Sequence, residues 1–241
     1  MTMEKLDEGT FRRQTGMEND DLSVLLRLPM FNGLDSAIVR TVLAEAHVRR
    51  YSKDKLLFSQ DDPAIAFYVV FSGWVKLFRL SESGHEAVIA LVGPAESFAE
   101  AAMFDSGLYP VNAGVVENAR MLVVPAKPFL ARLHDDPGLC FQIMGAMSQW
   151  LRRFVQDVEQ LTAHTTSERL ADFLLKLCPH QQSGPTTIHL PTDKSLIAGR
   201  LGMQPETFSR SLAKLRPLGV EAHGQNIVVR DVVALQESLP R

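Results

Sequence analysis

Cysteine is nearly missing from this 241-residue chain: Cys140 and Cys178 are the only two, and neither has a partner at the spacing of a metal or redox motif. That excludes a disulfide framework and a four-cysteine iron–sulfur cluster, and leaves reduced, partly buried thiols as the expectation. Long apolar runs are absent as well. None approaches ~18 residues, and the opening MTMEKLDEGTFRRQTGMENDD has no hydrophobic signal core, so neither a membrane span nor an export signal is expected and the expected location is cytoplasmic. No two of the seven histidines lie two residues apart, so the His-x-His ligand pair of a cupin-type metal enzyme cannot be assembled. Nor is there a nucleophile–base constellation or a phosphate-cradling glycine loop, and no enzyme is expected. A basic excess is missing too. The net charge is −3, and any surface for nucleic acid has to be local.

What is present is ordinary globular material, 46% hydrophobic and 22% charged, long enough for two domains with separate cores. Residues 1–20 read as a flexible N-terminal extension. Residues 22–47 hold two helical patterns, DLSVLLRLPMF and DSAIVRTVLAEAH, split by Asn32 and Gly33, with Asp35 or Ser36 suited to cap the second. From 48 to 124 the signal becomes short β-branched and aromatic runs, AFYVVF, WVKLFRL, AVIALV, NAGVVE and ARMLVV, divided by Gly73 and by turn-forming stretches. That pattern predicts a small antiparallel barrel or roll.

Over 138–163 the period changes again. Met144, Met147, Leu151, Phe154, Val158 and Leu161 recur at steps of three and four, the spacing of a two-stranded coiled-coil seam. The same stripe also suits a helix lying on its own domain. The helix is long, and Ile143, Trp150 and Val155 form a second apolar edge, which together favour a dimer seam with the second edge resting on the roll. TTSERLADFLLKL follows as another amphipathic helix, with Ser167 placed as its cap.

The most specific signal is GRLGMQPETFSRSLAKL, residues 199–215. A helix, a tight glycine turn, a second helix and then two extended pieces around Gly224–Gln225 follow the order of a winged helix-turn-helix. Leu196, Ile197, Ala198, Leu201 and Met203 pack the first helix and the turn. Phe208, Leu212 and Leu215 pack the second, which opens on Pro205 at a position where a missing N–H does no harm. Gln204 on the turn and Glu206, Thr207, Ser209 and Arg210 on the helix are thereby left facing out. A carboxylate can accept from cytosine N4, and a guanidinium can grip guanine O6 and N7. The competing use of these residues is an i,i+4 Glu206–Arg210 ion pair on a solvated helix. Phosphate contacts are expected from Lys194, Ser195, Arg200, Lys214 and Arg216.

With SGWVKLFRLSESGHEAVIALVGPAESFAEAAMF, the long helix and QPETFSRSLAKL in hand, the chain resembles the CRP/FNR superfamily of transcription regulators from about residue 21 onward. The resemblance implies an α+β chain. Its parts are a cyclic-nucleotide-binding-type β-roll (double-stranded β-helix or jelly roll) as sensor domain over 21–136, a dimerisation helix over 137–163 and a winged helix-turn-helix over 164–241. In such rolls a glutamate binds the ribose of cyclic AMP and an Arg-Ser pair binds its phosphate. Glu100 matches the glutamate, but the pair falls on Pro110 and Val111, which offer the phosphate no side-chain donor. Cyclic AMP is therefore not expected, nor is an FNR-type iron–sulfur cluster. AFYVVFSGWVKLFRL, SFAEAAMF and QPETFSR are similar to the DNR branch, which responds to nitric oxide through haem. That similarity implies haem b in an effector pocket of Phe98, Glu100, Met103, Tyr109, Val111, Met147, Leu151 and Phe154, with no one of the seven histidines singled out as metal ligand. Glu206, Ser209 and Arg210 match the family's Glu-x-x-Ser-Arg triplet, which goes with double-stranded sites of the form TTGAT-N4-ATCAA bound by a homodimer. The loop SESGHEA and the neighbouring RLSES are the implied surface for RNA polymerase. Two other readings stay open: a regulator of this fold with another small-molecule effector or none, and an effector module that never touches DNA.

Overall fold

The structure is a computed structural model that describes residues 7–81, 84–161, 165–178, 185–191 and 194–239, with the side chains of 150 and 153–161 outside the description. It divides into two compact units, Met1–Phe154 and Val155–Arg241. Among the described residues no helix is long and apolar enough to cross a membrane.

The first unit begins with α1 (Glu8–Thr15), α2 (Asp21–Leu25) and α3 (Ser36–Val42). The Asp7 carboxylate caps α1 by accepting from the Thr10 N–H at 3.0 Å, and Asp35 caps α3 by accepting from the Ala37 N–H at 2.7 Å. Over residues 7–20 the expected flexible extension is instead ordered, and residues 1–6 lie outside the described residues. Phe11 and Met17 are buried in one core with Leu22, Leu25 and Val39, so burial of two large apolar side chains offsets the ordering of the segment. Arg120 reinforces that attachment: its guanidinium forms a two-pronged ion pair with buried Asp21, meets Glu18 at 3.3 Å and lies over the Phe71 ring.

The roll follows as β1 (His47–Tyr51), β2 (Leu56–Phe58), β3 (Ala66–Leu80), β4 (Glu86–Val92), β5 (Glu96–Phe98), α4 (Glu100–Phe104) and β6 (Asn112–Pro125). The antiparallel order is β1-β6-β3-β4, with β2 also on β6 and β5 also on β3. AFYVVF and WVKLFRL are one strand rather than two. Gly73 does not end it but bulges it, at φ +84, where a Cβ would lie 2.3 Å from the Asn118 carbonyl oxygen. NAGVVE and ARMLVV likewise join as β6. Because side chains alternate along a strand, β3 and β6 feed two cores. Val69, Leu122 and Val124 face the helices, while Tyr68, Val70, Met121 and Val123 face the roll interior with Phe58, Phe98 and Tyr109.

After α5 (Ala126–Asp135) the chain enters α6 (Pro137–Leu161). Leu139 and Ile143 join the helix-side core; Trp150 and Val155, the other members of the expected second edge, lie outside the described side chains. The seam residues Met144, Met147 and Leu151 are exposed, together with Phe141; Phe154, Val158 and Leu161 lie outside the described side chains. The second unit holds α7 (Thr166–Leu177), β7 (Thr186–His189), α8 (Lys194–Arg200), α9 (Pro205–Lys214), a short 3₁₀ turn, β8 (Val220–His223), β9 (Asn226–Val229) and α10 (Val232–Glu237).

Replacing Arg120 by Ala leaves the Asp21 carboxylate buried and unpaired. The expected loss is about 3 kcal/mol of unfolding free energy in a urea titration, partly recovered when Asp21→Asn is added. An unchanged midpoint would show that the Arg120–Asp21 pair contributes nothing to the stability of the unit.

Candidate nucleic-acid interface

In the second unit, α7 is the support on which the outward helix is mounted. Thr165, not Ser167, caps it. The Thr165 hydroxyl accepts from the Glu168 N–H at 3.3 Å and the Glu168 carboxylate accepts from the Thr165 N–H at 2.6 Å, a complete capping box. TTSE contains three candidate caps in a row, and the glutamate three residues after Thr165 decides among them. Leu170, Ala171, Phe173 and Leu174 form the buried face of α7, against which α9 packs. One polar contact pins the pair, the Ser211 hydroxyl donating to the Thr166 hydroxyl at 3.0 Å.

The turn between α8 and α9 is built as the glycine predicted. Gly202 sits at φ +62, Met203 is buried, and the Met203 N–H donates to the Ala198 carbonyl at 2.9 Å. Gln204 is the extended N-cap residue, and Pro205 opens α9. Phe208, Ser211 and Leu212 turn inward, with Leu215 buried just beyond the helix. Gln204, Glu206, Ser209 and Arg210 are exposed and Thr207 is half-buried. The Arg210 guanidinium donates to the Thr207 hydroxyl at 3.3 Å, and the Ser209 hydroxyl donates back to the Pro205 carbonyl at 3.1 Å. Among the described residues neither Glu206 nor Arg210 has an ion-pair partner, so the competing i,i+4 salt bridge is not made.

The expected phosphate contacts fall into two groups. Lys194, half-buried, and Ser195, exposed, open α8, while Arg200 at its end lies over the Phe173 ring, 5.5 Å from its centroid. Lys214 and Arg216 are exposed; Lys214 ends α9, roughly 12 Å from Glu206 at the rise of an α-helix, and Arg216 opens the 3₁₀ turn beyond it. There Lys214 lines a hollow of about 300 Å³ with Thr165, Leu218 and Ser238. Lys214 follows Arg210 by one helical turn along α9.

The wing is a three-stranded sheet in the order β7-β9-β8. Glu221 accepts from the Arg230 Nε at 2.9 Å and meets the His223 Nε2 at 3.4 Å. The bond from Arg230 holds its carboxyl below the usual carboxylate range. This leaves Gly224 and Gln225 at the hairpin tip, beside His223. None of the three was singled out from the sequence as a contact, although AHGQN between two apolar runs is a turn signal.

The residues expected to frame an effector pocket do not converge. Phe98 and Tyr109 belong to the roll-interior core and Met103 to the helix-side core. Val111 and Glu100 are half-buried, the Glu100 carboxylate accepting from the Ser97 hydroxyl at 2.8 Å. Met147 and Leu151 are exposed, and the Phe154 side chain lies outside the description. As grouped, these residues do not form a haem slot within one chain, because Phe98 and Tyr109 are packed among other rings of the roll interior and Met103 is packed in the helix-side core.

Two family models match the chain: residues 48–136 a cyclic nucleotide-binding domain, and residues 168–238 a Crp-like helix-turn-helix domain. The cyclic AMP receptor protein of Thermus thermophilus is 32% identical over 210 residues, covering 87% of this chain and 95% of that protein. The transcriptional activator protein Anr of Pseudomonas aeruginosa is 28% identical over 191 residues, 78% of each. Among solved structures, a Ruegeria pomeroyi protein described as a candidate cyclic nucleotide binder superposes with a TM-score of 0.83 at 34% identity, covering 91% of this chain and 98% of the other. DNR from Pseudomonas aeruginosa does so with 0.56 at 29% identity, over 91% and 98%.

Truncating the buried ring that seats α9, in Phe208→Ala, is expected to remove about 3–5 kcal/mol of unfolding free energy. Urea melts of wild type and variant followed by circular dichroism measure it, and a difference below about 1 kcal/mol would mean that α9 is not held by this packing.

Proposed function

The chain belongs to the CRP/FNR family of transcription regulators, and we propose that it acts as a homodimer reading a palindrome of the form TTGAT-N4-ATCAA in duplex DNA. One observation carries this reading: α9 buries Phe208, Ser211 and Leu212 and leaves Glu206, Ser209 and Arg210 exposed, with no ion pair on the carboxylate or the guanidinium among the described residues. In the major groove Glu206 accepts from a cytosine amino group and Arg210 donates to guanine O6 and N7, each pair discriminating by about 1–3 kcal/mol. Lys194, Ser195 and the wing tip hold phosphates and set the register.

The dimer follows from α6. Phe141, Met144, Met147 and Leu151 leave a stripe of large apolar side chains exposed on one helix, and a second copy in parallel covers it as a coiled-coil seam. Two recognition helices separated by one helical turn of DNA, about 34 Å, match the two half-sites. The family's members are regulators, not enzymes. A DNA partner gives the cytoplasmic location, and RNA polymerase is the further partner proposed, through the β3–β4 loop; Glu82 and Ser83 of that loop lie outside the described residues.

The sensory half of the proposal, nitric oxide received through haem b, is supported by the similarity to DNR alone. Against it stands the division of Phe98 and Tyr109 from Met103 between two cores. The name of the Thermus relative points instead to cyclic AMP, against which stand Pro110 and Val111. Titration of the purified protein with hemin decides the haem question: a shifted Soret band and a nitrosyl band on adding nitric oxide support it, and a spectrum equal to free hemin removes it.

Mobility shifts test the DNA reading. Wild-type protein is expected to hold the palindrome tightly at about 50 mM salt and to lose on the order of a thousandfold in affinity by about 200 mM. Arg210→Ala should erase the preference for guanine at its position, and footprints that stay selective at that base sink the assignment. Leu151→Asp is expected to convert the dimer to a monomer in sedimentation and to abolish binding to the full palindrome while the second unit stays folded.

A further inference from the structure

The roll interior holds an arrangement of rings and backbone that has the form of a filled ligand site. The Tyr109 ring lies nearly parallel to that of Phe58, centroids 3.6 Å apart and planes 13° apart. Beside them the Tyr68 and Phe98 rings stack at 5.0 Å and 12°. The Tyr109 hydroxyl donates to the Ala66 carbonyl at 2.7 Å and accepts from the Ala66 N–H at 3.2 Å, so one β3 residue meets both hydrogen-bonding capacities of the phenol. Tyr109 is 1% exposed.

Its backbone is fixed as firmly as its ring. The Tyr109 N–H donates to the Asp62 carbonyl at 2.9 Å, the Asp61 N–H donates to the Tyr109 carbonyl at 2.8 Å, and the Ala64 N–H donates to the Gly107 carbonyl at 2.8 Å. The two segments thus run as a clipped ladder, and the ring leaves its place only by breaking the two bonds between its hydroxyl and Ala66. Phe98, Ala102, Tyr109 and Ala113 of this core come from the same stretch, 98–113, by which the family resemblance frames a bound nucleotide. Where that resemblance asks for an Arg-Ser pair, Pro110 and Val111 follow directly on the inward-pointing tyrosine.

We infer that the sensor roll carries its own ligand: a phenol-sized aromatic site walled by Phe58, Tyr68 and Phe98 and polarised by the Ala66 backbone is permanently occupied by the chain's own Tyr109. A site of this chemistry takes a single hydroxylated six-membered ring, not a purine nucleotide. The consequence is a roll that is filled without any cyclic nucleotide. An effector, where one acts, must address another face of the molecule.

Two measurements on the full chain test this, and neither uses DNA, so their failure leaves the DNA reading untouched. Tyr109→Ala removes one phenol from the core. Its melting temperature should fall by on the order of 10 °C and rise again by several degrees with millimolar phenol, less with benzene, and not at all in Tyr109→Phe, whose ring still fills the site. Equal rescue by benzene and phenol, or none by either, overturns the inference. The second measurement uses wild-type protein and needs no variant to fold. The chain has three tyrosines, Tyr51, Tyr68 and Tyr109, so 3-fluorotyrosine labelling yields three fluorine resonances. The inference requires that saturating cyclic AMP or cyclic GMP leaves all three unmoved, and displacement of the Tyr109 resonance by either nucleotide refutes it.

Discussion

A ten-residue helix has room for one buried stripe, and everything proposed for this chain depends on how α9 divides its circumference. Phe208, Ser211 and Leu212 fall at steps of three and one, and with Leu215 they define an inward arc closed against α7 by apolar packing and by one hydroxyl pair, Ser211 to Thr166. Once that arc is fixed, helical geometry leaves Glu206, Ser209 and Arg210 no orientation but outward. An exposed carboxylate and guanidinium four residues apart would ordinarily neutralise one another at a gain of a few tenths of a kcal/mol. Here the guanidinium is turned to Thr207 instead, which keeps both groups free for partners that base edges can supply.

The same economy of faces governs the first unit. Strands β3 and β6 each serve two cores, so the sheet is a shared wall between the helical layer and the roll interior. A substitution at Leu122 is felt on one side and at Val123 on the other. Helix α6 repeats this logic around its circumference: Leu139, Ile143 and Ala146 are buried, and Phe141, Met144 and Leu151 are exposed. Helical periodicity puts these two sets on neighbouring arcs, which is how one helix can lie on its own unit and still offer a seam to a second copy.

Much of this was legible in residue order because it rests on local rules. The Gly202 turn, Pro205 at the start of α9, a cap at Asp35 or Ser36 and the outward Met144, Met147 and Leu151 of α6 each follow from a conformational preference or a period that spans only a few residues. What escaped depends on partners distant in sequence. Phe11 and Met17 look like isolated hydrophobes in a polar opening; only their burial with Leu22 and Val39, and Arg120 reaching Asp21 from ninety-nine positions away, make that opening part of the fold. Gly73 reads as a strand end because glycine usually punctuates, and it proves to be a bulge because the Asn118 carbonyl passes too close for any Cβ. Thr165 and Ser167 are equivalent by type, and the position of Glu168 separates them.

The effector residues show the limit most clearly. Phe98, Met103, Tyr109 and Met147 were grouped because all are large and apolar near the expected ligand, yet hydrophobicity says nothing of which side of a sheet a residue takes. Pairing register does. Tyr68 lies opposite both Phe98 and Val123, so Phe98 must face the roll interior, whereas Met103 on α4 is turned to the helical core. A pocket cannot be framed from both sides of a continuous wall. The ring that comes nearest to a ligand in the roll is therefore one already tethered to the chain, buried, stacked on Phe58 and with its hydroxyl satisfied by Ala66.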